Sequence, residues 1–273
     1  MKFVAIFLLT ACIVSASEPN PPRWDTKWVK FIDPKDSYHG QRTIDDVWHE
    51  NGGSNPGNHG QWSSSRYALM MKPGYHAVDL NLGFYTQVVG LGRYPTDTRI
   101  RNFWSPNGSK DKGHGALCNF WRGIENVQLN NQHGAVVYAV SQAAPMRRVH
   151  IDGDLNLSEN GGYSSGGYLS DAKVTGNIYS GSQQQWFSRN VEMGSWHNGV
   201  WNMVFLGCRG APRSHCSNHG GSPYTTVDST PKIAEKPYII MDGSQFKLMI
   251  PNYESNKVGH TSNWQNAKEV DFS

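Results

Sequence analysis

The chain has 273 residues and a formal net charge of +3, with 17% charged and 12% aromatic residues, 29 Gly and 10 Trp. So many aromatics beside so few charges exclude a disordered chain and a coiled coil or helical bundle, which are rich in Ala, Glu, Lys and Leu. A balance of +3 argues against nucleic acid as a partner, because phosphate binding needs a concentrated basic patch.

Residues 1–17 read as a secretory signal peptide. Lys2 gives the positive start, residues 3–14 a short apolar run, and Ser15-Ala16-Ser17 small residues for cleavage. The run is shorter than the ~20 apolar residues of a membrane-spanning helix, and no later stretch is long or apolar enough. A secreted, extracellular protein without a membrane span is expected. Residues 18–65 form an extension: a Pro- and Trp-rich lead-in, then a short helix over 44–50 capped by Thr43. Asp45 and Asp46 stand in its first turn, where the helix dipole favours negative charge.

From residue 66 the chain reads as short strands. Residues 67–71 and 86–90 come first, then 124–129, 146–151, 169–174 and 187–193. The last four start 22, 23 and 18 residues apart, alternate apolar and polar side chains, and are separated by turns such as Asn160-Gly161-Gly162. A period near 20 residues marks a solenoid. One coil cannot bury its apolar side chains alone, but coils stacked at ~4.8 Å pair by backbone hydrogen bonds and share a core. The expected architecture is all-β: a right-handed parallel β-helix over 66–250, capped by the N-terminal helix and followed by a tail over 251–273. The alternative is an antiparallel sandwich, whose turns come every ~8–12 residues. An open solenoid end presents unpaired strand edges and could dimerise.

An oxidising compartment favours disulfides. Cys208 and Cys216 bracket a short loop and are expected to bridge, leaving Cys118 as an unpaired thiol. Asn107 and Asn156 head Asn-X-Ser sequons and are candidate glycan acceptors. His215 and His219 lie four apart, but their Gly- and Ser-rich surroundings suggest a loop, and no metal or other cofactor is expected.

Glycoside hydrolysis needs two carboxyl groups, ~5–5.5 Å apart for retention or ~6.5–9.5 Å for inversion. Asp152 and Asp154 lie two apart, and Asp171 falls near the matching place one coil on, so the three are candidate catalytic acids and bases. The competing reading makes Asp152-Gly153-Asp154 a turn whose carboxylates bond local amides. A lyase acting on uronate would draw on Arg147, Arg148, His150 and Arg189, although adjacent Arg147 and Arg148 should point to opposite faces. Aromatic rings beside amides suit sugar, because rings pack on the apolar faces of pyranoses and amides bond the hydroxyls. Tyr163, Tyr168, Gln183, Gln185, Trp186 and Arg189 are therefore candidate substrate-binding residues. Strand alternation would put Gln183 and Gln185 on one face and Trp186 on the other, where the glutamines could equally form a polar ladder between coils.

The run Asn119-Phe120-Trp121-Arg122-Gly123-Ile124-Glu125-Asn126 resembles a secreted, pectate-lyase-like family often mislabelled as adenylyl cyclase or coagulation factor 5/8-type protein. Ser180-Gly181-Ser182-Gln183-Gln184-Gln185-Trp186-Phe187-Ser188-Arg189-Asn190 resembles it further. More distantly, Gln142-Ala143 followed by Ser165-Gly166-Gly167-Tyr168-Leu169-Ser170-Asp171 is similar to the first β-helix of family 55 glycoside hydrolases, the exo-β-1,3-glucanases. That resemblance implies a parallel β-helix and a β-glucan substrate. It carries over no catalytic residue, because those enzymes place the general acid in a second β-helix. Two functions follow as expectations: a glycoside hydrolase-like protein acting on extracellular polysaccharide, or a non-catalytic polysaccharide-binding or matrix protein.

Overall fold

The computed structural model describes residues 19–51, 53, 62–106, 116–216, 223–262 and 267–271. The segment read as a signal peptide, the sequon at Asn107 and His219 lie outside these residues. No described helix is long and apolar enough to cross a membrane.

The chain winds as a parallel β-helix with three walls. The first wall is built from β1 (Val29–Ile32), β2 (Tyr67–Met71), β4 (Thr86–Gly90), β6 (Gly123–Leu129), β8 (Pro145–Ile151), β10 (Tyr168–Val174), β12 (Gln185–Glu192), β14 (Asn202–Leu206) and β15 (Tyr224–Val227), paired in that order. β6, β8, β10 and β12 each turn a corner midway and continue into a second wall. There β6 also meets β5 (Thr98–Ser105), which pairs with β3 (Gly74–Asn81). The third wall carries β3 and β5 onward into β7 (Val136–Tyr138), β9 (Leu155–Asn156), β11 (Ile178–Gly181) and β13 (Trp196–Asn198).

The core is a set of stacked columns, one residue per coil. Leu69, Val88, Ile124, Met146, Leu169, Ser188 and Phe205 succeed one another on the first wall, each 1% exposed or less. Val136, Leu155, Ile178 and Trp196, all buried, succeed one another on the third. Burying one such aliphatic side chain is worth roughly 1.5–3 kcal/mol, and no single coil could bury it.

The corner has its own column: Asn126, Arg148, Asp171, Asn190 and Gly207, with φ of 58°, 47°, 50°, 52° and 60°. Left-handed backbone lets the strand change direction without ending it. Asn, Asp and Gly tolerate it, whereas Arg148 adopts it at a cost of roughly 1–2 kcal/mol.

Helix α1 (Ser37–Glu50) packs Ile44 and Val47 into the core beside Ile32 and Val78, at the first coil. It is seven residues longer at its start than the sequence suggested. Asp36 caps it by accepting from the His39 amide, and Thr43 lies mid-helix with its hydroxyl on the His39 carbonyl. Beyond β15 the parallel stacking stops, well before residue 250. His215 exchanges both backbone hydrogen bonds with Tyr224, occupying part of the edge of β15. An arm of antiparallel strands follows: β16 (Thr230–Ala234) pairs with β19 (Tyr253–Lys257), and β17 (Tyr238–Asp242), β18 (Gln245–Ile250) and β20 (Lys268–Asp271) form a second small sheet. The arm lies on the outside of the solenoid, with Phe246 against Met70 and Val89 of the first wall.

Candidate functional site

Where the arm leaves the first wall uncovered, the turns entering β8, β10, β12 and β14 frame a groove of about 560 Å³. Its wall is a ladder of outward residues: Pro145, Tyr168, Phe187 and Val204 in register on successive coils. The Tyr168 and Phe187 rings lie 5.4 Å apart with a 34° tilt, and the Arg147 guanidinium sits 4.6 Å from the Tyr168 ring centre. Polar groups stand at the entry end: Gln142, Ser165, Gln185 and Asn202. Gln142 Nε2 donates to the Ser165 carbonyl and hydroxyl at 3.1 and 3.2 Å, and Ser165 Oγ donates to Ser141 Oγ at 2.9 Å. These bonds fix the polar end before any ligand arrives. An apolar floor with a few placed polar groups is the usual make-up of a small-molecule site.

Trp186 forms part of the floor but is 3% exposed, because its ring lies over Gly167. A Cβ at Gly167 would stand 2.2 Å from Trp186 Cζ3, so the glycine there admits the tryptophan. Gln185 is exposed and lines the groove. Gln183 does not share its face. It is wholly buried in the preceding turn, donating to the Val140 and Leu157 carbonyls and accepting from the Gly166 amide. The left-handed Gly181 (φ 54°) ends β11, and β12 begins only at Gln185, so alternation does not carry across from Gln183. Tyr163 is 57% exposed but stands outside the groove's lining. Arg189 is tied to Glu235 of the arm at 2.7 Å, with its guanidinium 5.7 Å from the Tyr168 ring centre. Arg147 faces the groove, and the adjacent Arg148 is buried at the corner.

The three aspartates do not converge. Register places Thr175, not Asp171, beside Asp152 on the next coil, and Thr175 Oγ1 donates to Asp152 at 3.3 Å. Asp154 Oδ1 accepts from the Asn177 amide at 2.7 Å, a bond to the next coil rather than within its own turn. Asp171 sits at the corner, 3% exposed, accepting from the Thr261 amide at 2.6 Å and facing Lys257 Nζ at 3.5 Å. Around it the arm closes a buried ionic cluster with Arg148, Arg189, Glu235 and Lys257. Burial, with the Asp171 charge behind it, pushes the Glu235 carboxyl upward, and burial lowers the Arg148 guanidinium. This cluster holds the arm down, and the described lining of the groove contains no carboxylate.

The expected bridge is absent: Cys208 and Cys216 are both free. Cys208 points back at the wall, its thiol near the Ser188 and Leu206 carbonyls, and burial raises its pKa to about 11. Cys216 is exposed, and Cys118 is free and half-buried. Among the described residues no group of three or more His, Cys, Asp or Glu is placed to hold a metal. Sequence reasoning passed over Gln142, Ser165, Phe187 and Asn202. The signal for Gln142 and Ser165 lay in the Gln142-Ala143 and Ser165–Asp171 segments, and that for Phe187 in the Ser180–Asn190 run, all singled out by resemblance.

This chain is similar to an exo-β-1,3-glucanase. It is 43% identical over 208 residues to that enzyme from Streptomyces sp. (strain SirexAA-E / ActE), a match over 76% of this chain and 33% of the enzyme. The solved structure of sacteLam55A from Streptomyces sp. SirexAA-E superposes with a TM-score of 0.80 at 38% identity, covering 89% of this chain and 43% of that one. A variant of sacteLam55A in complex with glucose gives a TM-score of 0.78 at 37% identity. The chain thus spans less than half the length of these relatives. No family model matches the sequence.

Proposed function

We propose that this chain is a glycoside hydrolase-like protein that engages β-1,3-glucan, with the groove over Tyr168 and Phe187 as its sugar-binding surface. The observation that carries the reading is the groove itself: an aromatic and aliphatic ladder beneath Arg147, closed at one end by Gln142, Ser165, Gln185 and Asn202. The ladder offers rings to the apolar faces of sugars, and the amides and guanidinium bond hydroxyls. The similarity to an exo-β-1,3-glucanase and to a structure solved with glucose supports the substrate class.

Hydrolysis requires two carboxyl groups at the scissile bond. Because the groove's described lining supplies none, its part is recognition. A purely binding role is the second reading, and that same lining favours it. Secretion belongs to the proposal as well, on the strength of Lys2, the apolar run after it and Ser15-Ala16-Ser17. So does kinship with the secreted pectate-lyase-like family, on the Asn119–Asn126 and Ser180–Asn190 runs.

Titration with laminarin, followed by analysis of released sugars, tests the proposal. Saturable binding that weakens about tenfold in Tyr168→Ala, a change of ~1.4 kcal/mol, is the expected result. Glucose release would select the hydrolase reading, and binding without products the lectin-like one. Laminarin that fails to bind the wild type refutes both.

A further inference from the structure

The groove does not end at Gln142. Gln142 and Ala143 also line a second, apolar pocket of about 320 Å³, completed by Trp62, Phe120 and Trp121. Trp62 is 84% exposed and Trp121 56%. Among the described residues, no ring or cation stacks on either indole.

The backbone makes Trp121 unusual. Tyr85, Trp121, Ala143 and Gly166 occupy one position in successive coils, at the turn entering the first wall, with φ of 51°, 53°, 57° and 127°. The coil dictates the left-handed turn, and Ala or Gly satisfies it at the next two coils. The turn therefore does not need an indole at 121. Tyr85, one coil earlier, is covered by the Arg66 guanidinium at 3.6 Å. Trp121 places a large apolar ring at the solvent boundary, where it gains little by burial, in a conformation that costs roughly 1–3 kcal/mol for a non-glycine residue. Strained residues of this kind cluster at ligand sites.

The axis of the solenoid sets the direction. From the turn of Trp121 to that of Asn202 is four coils, about 19 Å at ~4.8 Å per coil. A polymer lying along the axis would cross the polar amides of the groove and then meet the tryptophans. We infer that Trp121 and Trp62 form a second sugar contact, holding a residue of the same β-glucan chain beyond the one seated at Tyr168. The inference rests on the glucan reading above. It adds that affinity grows with chain length and that the tryptophans supply the growth.

Calorimetric titration of laminaribiose and laminarihexaose into the whole chain tests this. The wild type should bind the hexaose about tenfold more tightly than the biose. Trp121→Ala should erase most of that difference while leaving the biose constant unchanged. Trp62→Ala should act in the same direction, and Trp121→Phe should restore part of the gain. Folding is not at risk, since alanine already occupies this position one coil on. Wild-type affinity that is equal for both sugars, or a length dependence that survives Trp121→Ala, overturns the inference and leaves the groove standing. No binding of either sugar by the wild type overturns groove and inference together. A Trp121→Ala change in sedimentation with length dependence intact identifies a protein-docking face instead, and also overturns it.

Discussion

Arg147 and Arg148 are neighbours on β8, yet one lies open over the Tyr168 ring and the other is buried against Asp171 and the Tyr238 ring, 3.8 Å from its centre. The same contrast runs along β8, β10 and β12. At the entry end, Gln185, Arg147 and Tyr168 look outward and line the groove. At the corner, Asn126, Asp171 and Asn190 are just as polar, but each is engaged. Asn126 donates to the Gly90 and Gly92 carbonyls, Asn190 donates to the Lys257 carbonyl and accepts from Thr230, and Asp171 meets Thr261 and Lys257. The residue types of the two ends are almost interchangeable. What separates them is cover: the arm lies on Asp171 and Asn190, and the bend after β4 takes up Asn126.

The contrast can be broken at the corner first. Asp171→Asn should cost the most, about 3–5 kcal/mol of unfolding free energy by urea denaturation, because it removes the carboxylate charge facing buried Arg148 and one of the three around buried Lys257. Laminarin affinity of the folded fraction should hold. Stability unchanged while sugar release disappears would return Asp171 to catalysis. Gln183→Leu comes next, at about 2–3 kcal/mol, since it strands three buried backbone groups.

Acid sharpens the comparison further. Burial holds His76, His150 and His260 below the ordinary value of 6.5. A depressed folded pKa contributes stability that is full above the unfolded value and is lost as pH falls toward the folded one. Denaturation midpoints should therefore drop below pH 6.5, and His76→Gln should flatten that decline. Glu235 carries the opposite sign, because its folded pKa is raised. Its contribution is complete below 4.5 and fades as pH rises through the folded value. Arg147→Ala should weaken laminarin binding about fivefold, ~1 kcal/mol, with the melting temperature unmoved. Asp152→Asn should do least, within about 0.5 kcal/mol and with unaltered binding, as befits an exposed turn residue.

Strands were the legible part of the sequence. Residues 124–129, 146–151 and 169–174 each lie within one residue of an observed strand, because inward columns demand alternation and the coil closes on Gly and Asn. The start of α1 was hidden by Ser37, Tyr38 and Gly40, which are indifferent or poor helix formers, so its cap at Asp36 drew no notice. Asp171 was misplaced because spacing alone does not give register. Its partner is Arg148, and a left-handed corner turns both away from Asp152. The arm was missed since its strands pair antiparallel outside the repeat. The groove was the least legible, because its polar end draws Gln142, Ser165, Gln185 and Asn202 from four coils that become adjacent only once stacked.

Coil length varies more than the walls reveal. Gln87 precedes its partner Gly123 by 36 residues, whereas Gln185 precedes Asn202 by 17. Both pairs hydrogen-bond in the same sheet, so surplus chain is shunted into the bends. Insertion or deletion there leaves the stacked ribbon in phase. A lineage could thereby reshape the rim around a ligand, one hinge at a time, without renegotiating the interior. Swapping whole bends between relatives is, for the same reason, a practical route to new sugar preferences on an unchanged frame.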